Sequence, residues 1–462
     1  MSRNALDFIV LRPGVNTTDN DNRGSTIAGQ PQSMINITID GVNSQDNYNR
    51  TSEGFFSRVR PSLDAIEEVT VSTATPGAES AGQGAVQIRF VTRSGNNELY
   101  GSLYEYHRNP VLDANSWFNN RDLAPDPKTG KSPRDRILLN QFGGRAGGPI
   151  FFPKALFGPP GFDGRDRAFF LVNLEESCQP NQVTRNQTIV VPEAEQGNFV
   201  YTDASIDTVR SVNLFDLAAS KGQLSTPDPT IKKLLADIRE STECGSCGLN
   251  PQTNPLYQTL TFVNKGMART RFLTSRFDFN LTSKHRLEIS HNHHKYFPLP
   301  YDNTNNGSPA NPNFPNYRAQ GGNRLMGSPT LRSTITPRLV NEFRAGLSGG
   351  STLFSPNISP ADFSGSVANQ DGYALGLSAA GISNAYRHYT SSRRNAPTRV
   401  VEDTVTWTKG SHGLSFGVNT SYDPGLVLFD STNGRCGSGP LRHAPASRWA
   451  TPCMRPAARP RQ

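Results

Sequence analysis

Residues Leu63 to Asn109, LDAIEEVTVSTATPGAESAGQGAVQIRFVTRSGNNELYGSLYEYHRN, set the architecture of the chain. Val69–Ser72 and Ala85–Thr92 are rich in β-branched and apolar residues and predict short strands. Thr75–Gly84, with Pro76, Gly77, Gly82 and Gly84, predicts a loop between them. From Glu98 a different element begins, an alternating strand reached without any linker. A small module therefore runs straight into a sheet, and the boundary is expected near residues 96 and 97.

Composition agrees with many strands and long polar connections. Of 462 residues only 35% are hydrophobic, mean hydropathy is -0.54, and there are 41 Gly and 34 Pro. No run approaches the roughly 18 to 20 apolar residues of a membrane helix, which leaves open a membrane barrel built from strands of about 9 to 11 alternating residues. The formal charge of +8 is concentrated at the C-terminus, where Arg435 onward holds six Arg and no Lys, Asp or Glu; without those six the preceding chain carries +2. Basicity so placed argues against a nucleic-acid surface. The tail 434–462, rich in Arg, Pro and Ala, reads like a GC-rich frame out of register, and a frameshift or misassembly near Gly434 is expected; a natural disordered tail is the alternative. Met1–Val10 lacks the basic start, apolar core and cleavage site of an export signal, so the true start is expected upstream.

Beyond Glu98 the two-residue period is repeated. Ala168, Phe170, Val172 and Leu174 oppose Arg167, Asn173 and Glu175, while Phe169 and Leu171 blur the polar face. Leu273, Phe277, Phe279 and Leu281 oppose Arg276, Asp278 and Asn280; Leu339, Phe343, Ala345 and Leu347 oppose Glu342 and Arg344. Val401, Val405 and Trp407, and Leu414, Phe416 and Val418, obey the same rule. One apolar and one polar face per strand fits lipid on one side and a wet lumen on the other. Ser283-Lys284-His285, Thr336-Pro337-Arg338 and Lys409-Gly410-Ser411 predict tight turns, and Pro192–Thr253 and Pro298–Ser328 predict long polar excursions. Short turns on one side and long loops on the other is the asymmetry of an outer-membrane barrel. About ten or eleven such strands precede Gly434.

The ordered set Leu11-Arg12-Pro13-Gly14-Val15, Ile39-Asp40-Gly41-Val42, Asp64–Val71 and Gly82–Gly95, followed by NQFGGRAGGPI (Asn140–Ile150), resembles the TonB-dependent outer-membrane receptors. It is most similar to the subgroup that carries an N-terminal carboxypeptidase-regulatory-like domain. FDFNLTSKHRL, STITPRLVNEFRAGL and TKGSHGLSFGVN also have counterparts there. The resemblance implies an α+β plug over 1–96, with Asp40, Gly41, Gly82, Gly84, Arg93 and Gly95 as its motif residues. It further implies a partial antiparallel transmembrane β-barrel over 97–433, where the family closes 22 strands around a plug. Arg12, Gln83, Gln87 and Arg89 depart from the family pattern.

What the resemblance implies for function is energy-coupled uptake by a monomeric receptor in the outer membrane of a Gram-negative cell. Its partners would be outer-membrane lipid, the inner-membrane TonB complex and an extracellular ligand of unknown identity, with no nucleic acid. The coupling box would precede Met1. A surface adhesion or scaffold protein of the same architecture, or a non-functional gene fragment, are the alternatives.

No catalytic grouping, phosphate loop or nucleotide fingerprint is present, so no enzyme and no cofactor are expected. Asp64, Glu67 and Glu68 could serve as paired acid and base, but their spacing next to a strand fits a helix face or turn equally well. His291 and His293 share a strand face about 7 Å apart and are weak metal candidates beside His294 and Lys295; solvated rim histidines are the preferred reading. Among five cysteines, Cys244 and Cys247 form the one close pair. A local disulfide is preferred there over a redox motif or half a zinc site. Asp228–Ser241 predicts an amphipathic helix capped near Thr226 or Asp228, with Ile231, Leu234, Leu235 and Ile238 on one side; it packs as a loop helix or serves as a ligand lid.

Overall fold

A computed structural model of the chain describes residues 26–46, 57–60, 62–73, 84–115, 138–152, 161–203, 205–244, 247–299, 319–355 and 392–423, with short pieces between these stretches and at either end. The tail 434–462, Met1–Ala5, most of the predicted Thr75–Gly84 loop and Gly82 itself lie outside the described residues.

A small four-stranded sheet comes first. It comprises β1 (Ile35–Ile39), β2 (Val42–Asn43), β3 (Ile66–Ser72) and β4 (Val86–Thr92), in the order β2-β1-β4-β3. β1 and β4 pair in parallel and the other neighbours are antiparallel. Ile35, Ile37, Ile39, Val86, Ile88 and Phe90 form its buried core. β1 turns into β2 through Asp40-Gly41, both left-handed (φ 47° and 82°), the two-residue hairpin loop that an Asp-Gly pair favours. In place of the α part of the expected α+β module, the described residues show only 3-10 turns at Gln32–Met34 and Leu63–Ala65. Three residues between a loop and a β-branched run are too few to propagate an α-helix.

The rest is a twelve-stranded sheet whose main path is a simple meander. That path comprises β5 (Tyr100–Arg108), β6 (Leu139–Pro149), β7 (Ala168–Val190), β8 (Tyr257–Asn280), β9 (His285–Tyr296), β10 (Gln320–Thr336), β11 (Leu339–Phe354), β12 (Thr398–Lys409) and β13 (His412–Tyr422), and the three short strands Gly248–Pro251, Ser392–Asn395 and Leu426–Phe429 pair off it. Every neighbouring pair is antiparallel. Among the described residues the sheet does not close: β5 and β13 are its two edges. The three tight turns fall between β8 and β9, β10 and β11, and β12 and β13, where the sequence predicts them.

Three expectations are corrected. Strands of about ten residues are too short for β7 and β8, which run 23 and 24 residues in unbroken register. Pro192–Thr253 is not simply a polar excursion. It folds into a hairpin (Asn198–Asp203 with Thr208–Asn213) and three helices, a single turn at Pro192–Glu195, then Leu214–Ser220 and Pro229–Glu240. Pro229–Glu240 is the longest and explains the strand extensions. Its Leu234 and Ile238 pack on Ile189, Leu260 and Phe262, so the outer parts of β7 and β8 bury an apolar face well past the point where lipid would cover them. Asp228 caps this helix, accepting from the N–H groups of Thr230 and Ile231 at 2.8 and 3.2 Å, and Pro229 fills the first turn, where no amide is needed. Finally, Gln320–Ser328, expected within a loop, is the start of β10.

Candidate functional site

The alternation in the large sheet sorts residues between a side that meets the small sheet and a side that does not. Glu175, Arg276, Asp278, Arg324 and Ser328 point toward the small sheet and are buried. Phe170, Val172 and Leu174 on β7, with Leu273, Phe277 and Phe279 on β8, alternate with them and face away. Leu171 also lies on the inward face and is fully buried, so the blurring noted in the sequence is packing beneath the small sheet.

Wall side chains seize backbone carbonyls of the small sheet. Arg276 donates from Nη1 to the Thr92 carbonyl at 2.9 Å, Arg324 to that of Arg58 at 3.1 Å, and Arg145 to that of Asp64 at 3.2 Å. The Ser328 hydroxyl donates to the Asp40 carbonyl at 3.3 Å. Glu175, 1% exposed, accepts from Ser62 (2.8 Å), Tyr104 (2.7 Å) and Gln141 (2.7 Å), which joins the small sheet to β5, β6 and β7. Arg276 and its neighbour Arg344 are themselves held in ion pairs. Arg276 meets Asp278 at 3.0 Å and Glu288 at 2.9 Å; Arg344 meets Glu342 at 2.6 Å and Glu402 at 3.1 Å. Asp46 of the small module lies 3.7 Å from Arg58 and 2.7 Å from Arg394. Burial pulls the Arg58 guanidinium below its usual range, with Asp46 opposing the shift.

Between the sheets lies a cavity of about 830 Å³. Its charged lining is balanced: Arg89, Arg276, Arg332 and Arg344 face Asp40, Glu288, Glu342 and Glu402. Such a lining favours water and gives no net attraction to one sign of charge. Val42, Met326 and Val400 close one flank, where apolar packing replaces the polar contacts.

The motif residues of the sequence are placed as follows. The Asp40 carboxylate accepts from the Thr92 N–H and hydroxyl at 3.0 and 3.1 Å, tying the β1–β2 turn to the end of β4. Gly41 sits against β11, where an added Cβ would lie 2.3 Å from Arg344 Nη1. Gly84 opens β4 at φ 108° with the Met34 carbonyl 2.4 Å from where a Cβ would be. Arg93 donates its backbone N–H to Ala65 at 2.9 Å, and Gly95 passes so close to β6 and β7 that a Cβ would stand 2.5 Å from the Phe170 carbonyl. The glycine-rich closing segment therefore runs along the wall. Sequence reading missed Glu175, Arg276, Arg324 and Arg344 as contact residues; the available signal was a charge recurring on the polar side of a strand whose other side is greasy.

The remaining candidates sit elsewhere. Cys244 and Cys247 are joined by a disulfide, Cα to Cα 5.3 Å, at the end of the Pro229–Glu240 helix and packed on its core. His291 and His293 stack at 6.4 Å between ring centroids on the outward face of β9, and His293 meets the Asn323 side chain. Among the described residues no group of three or more His, Cys, Asp or Glu is arranged to hold a metal ion. His294 lies on the inward face instead, between the Phe272 and Tyr296 rings at 4.1 and 4.2 Å.

No curated protein matches the chain. Solved structures similar to it include a ferric enterobactin receptor of Pseudomonas aeruginosa (13% identity, TM-score 0.49, covering 92% of this chain and 47% of that one). The outer membrane transporter YddB of Escherichia coli is similar at 10% identity and TM-score 0.49, covering 91% of this chain and 46% of that one. The ferric yersiniabactin uptake receptor FyuA of Yersinia pestis is similar at 11% identity and TM-score 0.37, covering 93% and 59%. The chain thus spans about half the length of the first of these receptors. A family model described as the outer membrane beta barrel domain matches residues 91–439, from the last residues of β4 through every strand of the wall. The two-faced meander with its short turns on one side is therefore a protein of the outer membrane, and the chain belongs to the outer membrane beta barrel domain family.

Proposed function

We propose that the chain is the plug and the adjoining part of the wall of a TonB-dependent receptor, which takes up an extracellular ligand by energy-coupled movement of the plug. In this reading residues 1–96 are the plug, 97–433 belong to the barrel, and Asp40, Gly41, Gly84, Arg93 and Gly95 seat the first in the second. The observation that carries the reading is the small sheet held against the polar side of the wall through its own backbone carbonyls, with a charged but balanced cavity beside it. A permanently structural insert would be expected to fill that space with apolar side chains. Polar contacts and water suit an insert that must leave and return. The tight turns would face the periplasm and the Pro229–Glu240 helix the outside, packed on the inward face of β7 and β8 over the lumen mouth.

The test is a lock. A Cβ at Gly346 would stand 3.2 Å from that of Val42, so Val42→Cys with Gly346→Cys places two thiols within bridging reach across plug and wall. Oxidation in intact outer membranes is expected to join them, and uptake of the receptor's nutrient, scored by growth, to stop until reductant is added. Absence of the cross-link sinks the plug arrangement; a cross-link that leaves growth untouched sinks the transport reading and favours a scaffold.

A further inference from the structure

The outward side of the wall carries a basic cluster that nothing in the transport reading uses. Glu176 on β7, Arg271 on β8, Lys295 on β9 and Asn323 on β10 stand directly opposite one another in register, one row across four strands. Arg269 lies two residues along β8 on the same face. Arg269 and Arg271 both turn Nε and Nη2 toward the Glu176 carboxylate, with Nε to oxygen distances of 2.6 and 2.8 Å, and this leaves their Nη1 edges pointing away from it. The two guanidiniums and the Lys295 ammonium surround one ring: they lie 4.7, 5.4 and 4.8 Å from the centroid of Phe297. Two guanidiniums thus share a single carboxylate, and a third cation shares their ring.

The row has a definite height. On β8, Leu281, Phe279, Phe277 and Leu273 fill the outward face from the tight turn up to Arg271, and Leu287 and Ile289 do the same on β9. Ten residues of strand span about 33 Å, or about 25 Å along the membrane normal at a tilt near 40°, which is the height of the apolar band of an outer-membrane barrel. The cluster therefore begins where the hydrocarbon ends, on the side opposite the short turns. Its neighbours there are lipid headgroups of the outer leaflet. A solute from the lumen does not reach it, because the small sheet lies on the other side of the wall.

We propose that Arg269, Arg271 and Lys295, gathered around the Phe297 ring, bind the phosphate of an outer-leaflet phosphoglycolipid headgroup, with Leu273, Leu287 and Ile289 below them receiving its acyl chains. Guanidinium edges match phosphate oxygens in a planar fork, Lys295 adds a point charge beside them, and Glu176 competes with the phosphate for both guanidiniums. His293 and His291 then lie one and two same-face positions below Lys295, beneath the headgroup, which accounts for their place on the lipid side.

The test uses the full chain in detergent and native mass spectrometry with three probes: a bisphosphorylated diglucosamine lipid, the same lipid stripped of phosphate, and inorganic phosphate as competitor. The unaltered chain is expected to prefer the phosphorylated lipid by about tenfold or more, and the joint change Arg269→Gln, Arg271→Gln, Lys295→Gln to abolish that preference. Lys409→Gln, at the opposite membrane boundary beside Trp407, is expected to keep it. Glu176→Gln removes the competing carboxylate and is expected to tighten binding about threefold or more, a gain that misfolding does not mimic. Equal binding of the two lipids shows that acyl chains alone are recognised and overturns the proposal. So does displacement of the lipid by inorganic phosphate, which marks a free-phosphate site, and so does an unchanged or weakened Glu176→Gln variant.

Discussion

Gly41→Ala is the sharpest probe of whether the small sheet lies against the wall. The backbone at Gly41 has φ 82°, so alanine there costs about 1–2 kcal/mol before any neighbour is considered. Its Cβ would also fall 2.3 Å from Arg344 Nη1, and the guanidinium has to move off Glu342 and Glu402, now at 2.6 and 3.1 Å. Hydrogen bonds to charged groups are worth about 1.5–3 kcal/mol when dry, and the cavity alongside supplies water that recovers part of this, so about 1–2 kcal/mol is assigned to the displacement. The single change is then expected to destabilise the chain by about 2–4 kcal/mol. In an Arg344→Ala background nothing is left to displace, and only the backbone part survives. Urea titrations in lipid vesicles, followed by tryptophan fluorescence, give the four corners of the cycle. A coupling of about 1–2 kcal/mol is expected; additivity within about 0.5 kcal/mol means that the two residues do not touch and refutes the seating of the small sheet on β11.

Two further outcomes follow from other contacts. Glu175→Leu strips a shared acceptor from the Ser62, Tyr104 and Gln141 side chains and leaves donors buried; a loss of about 3–5 kcal/mol is expected in the same titration, with faster proteolysis of residues 26–92. Cys247→Ser opens a loop of four residues, for which chain entropy gives about 2 kcal/mol. That loss is expected to show as faster amide exchange in the Pro229–Glu240 helix with wall stability unchanged, and a drop in wall stability would contradict the local role of the bridge.

Much of the wall was legible because lipid and lumen impose opposite demands on successive residues, and that demand is written locally as a two-residue period. Leu273, Phe277 and Phe279 against Arg276 and Asp278 needed no partner to be read. The same holds for the three tight turns and for the helix cap at Asp228, whose signals span a few residues. What escaped was set by neighbours remote in sequence. Nothing local to Ile35–Ile39 announces that it will lie parallel to Val86–Thr92. Arg276 could be assigned to the polar face, but its grip on the Thr92 carbonyl, 184 residues away, depends on the docking of two sheets. The length of β7 and β8 was hidden for a related reason. Past the lipid, their inward apolar residues are explained only by a helix that lies between them in the chain. Gly41 was flagged for its turn, yet the contact with Arg344 that makes it a useful probe belongs to the assembled fold.

The manner in which the small sheet is fastened has a mechanical consequence. Its carbonyl grips on the wall are separate single bonds from Arg145, Arg276, Arg324 and Ser328, spread over four carbonyls, with Arg276 and Ser328 lining the cavity. Each can be traded for a bond to solvent at a net cost of about 0.5–3 kcal/mol, with no vacuum opened behind it. In the proposed plug reading, a tug on the N-terminal segment would therefore peel the insert away stepwise at modest peak force, and releasing the tension would let the same latches close again in any order.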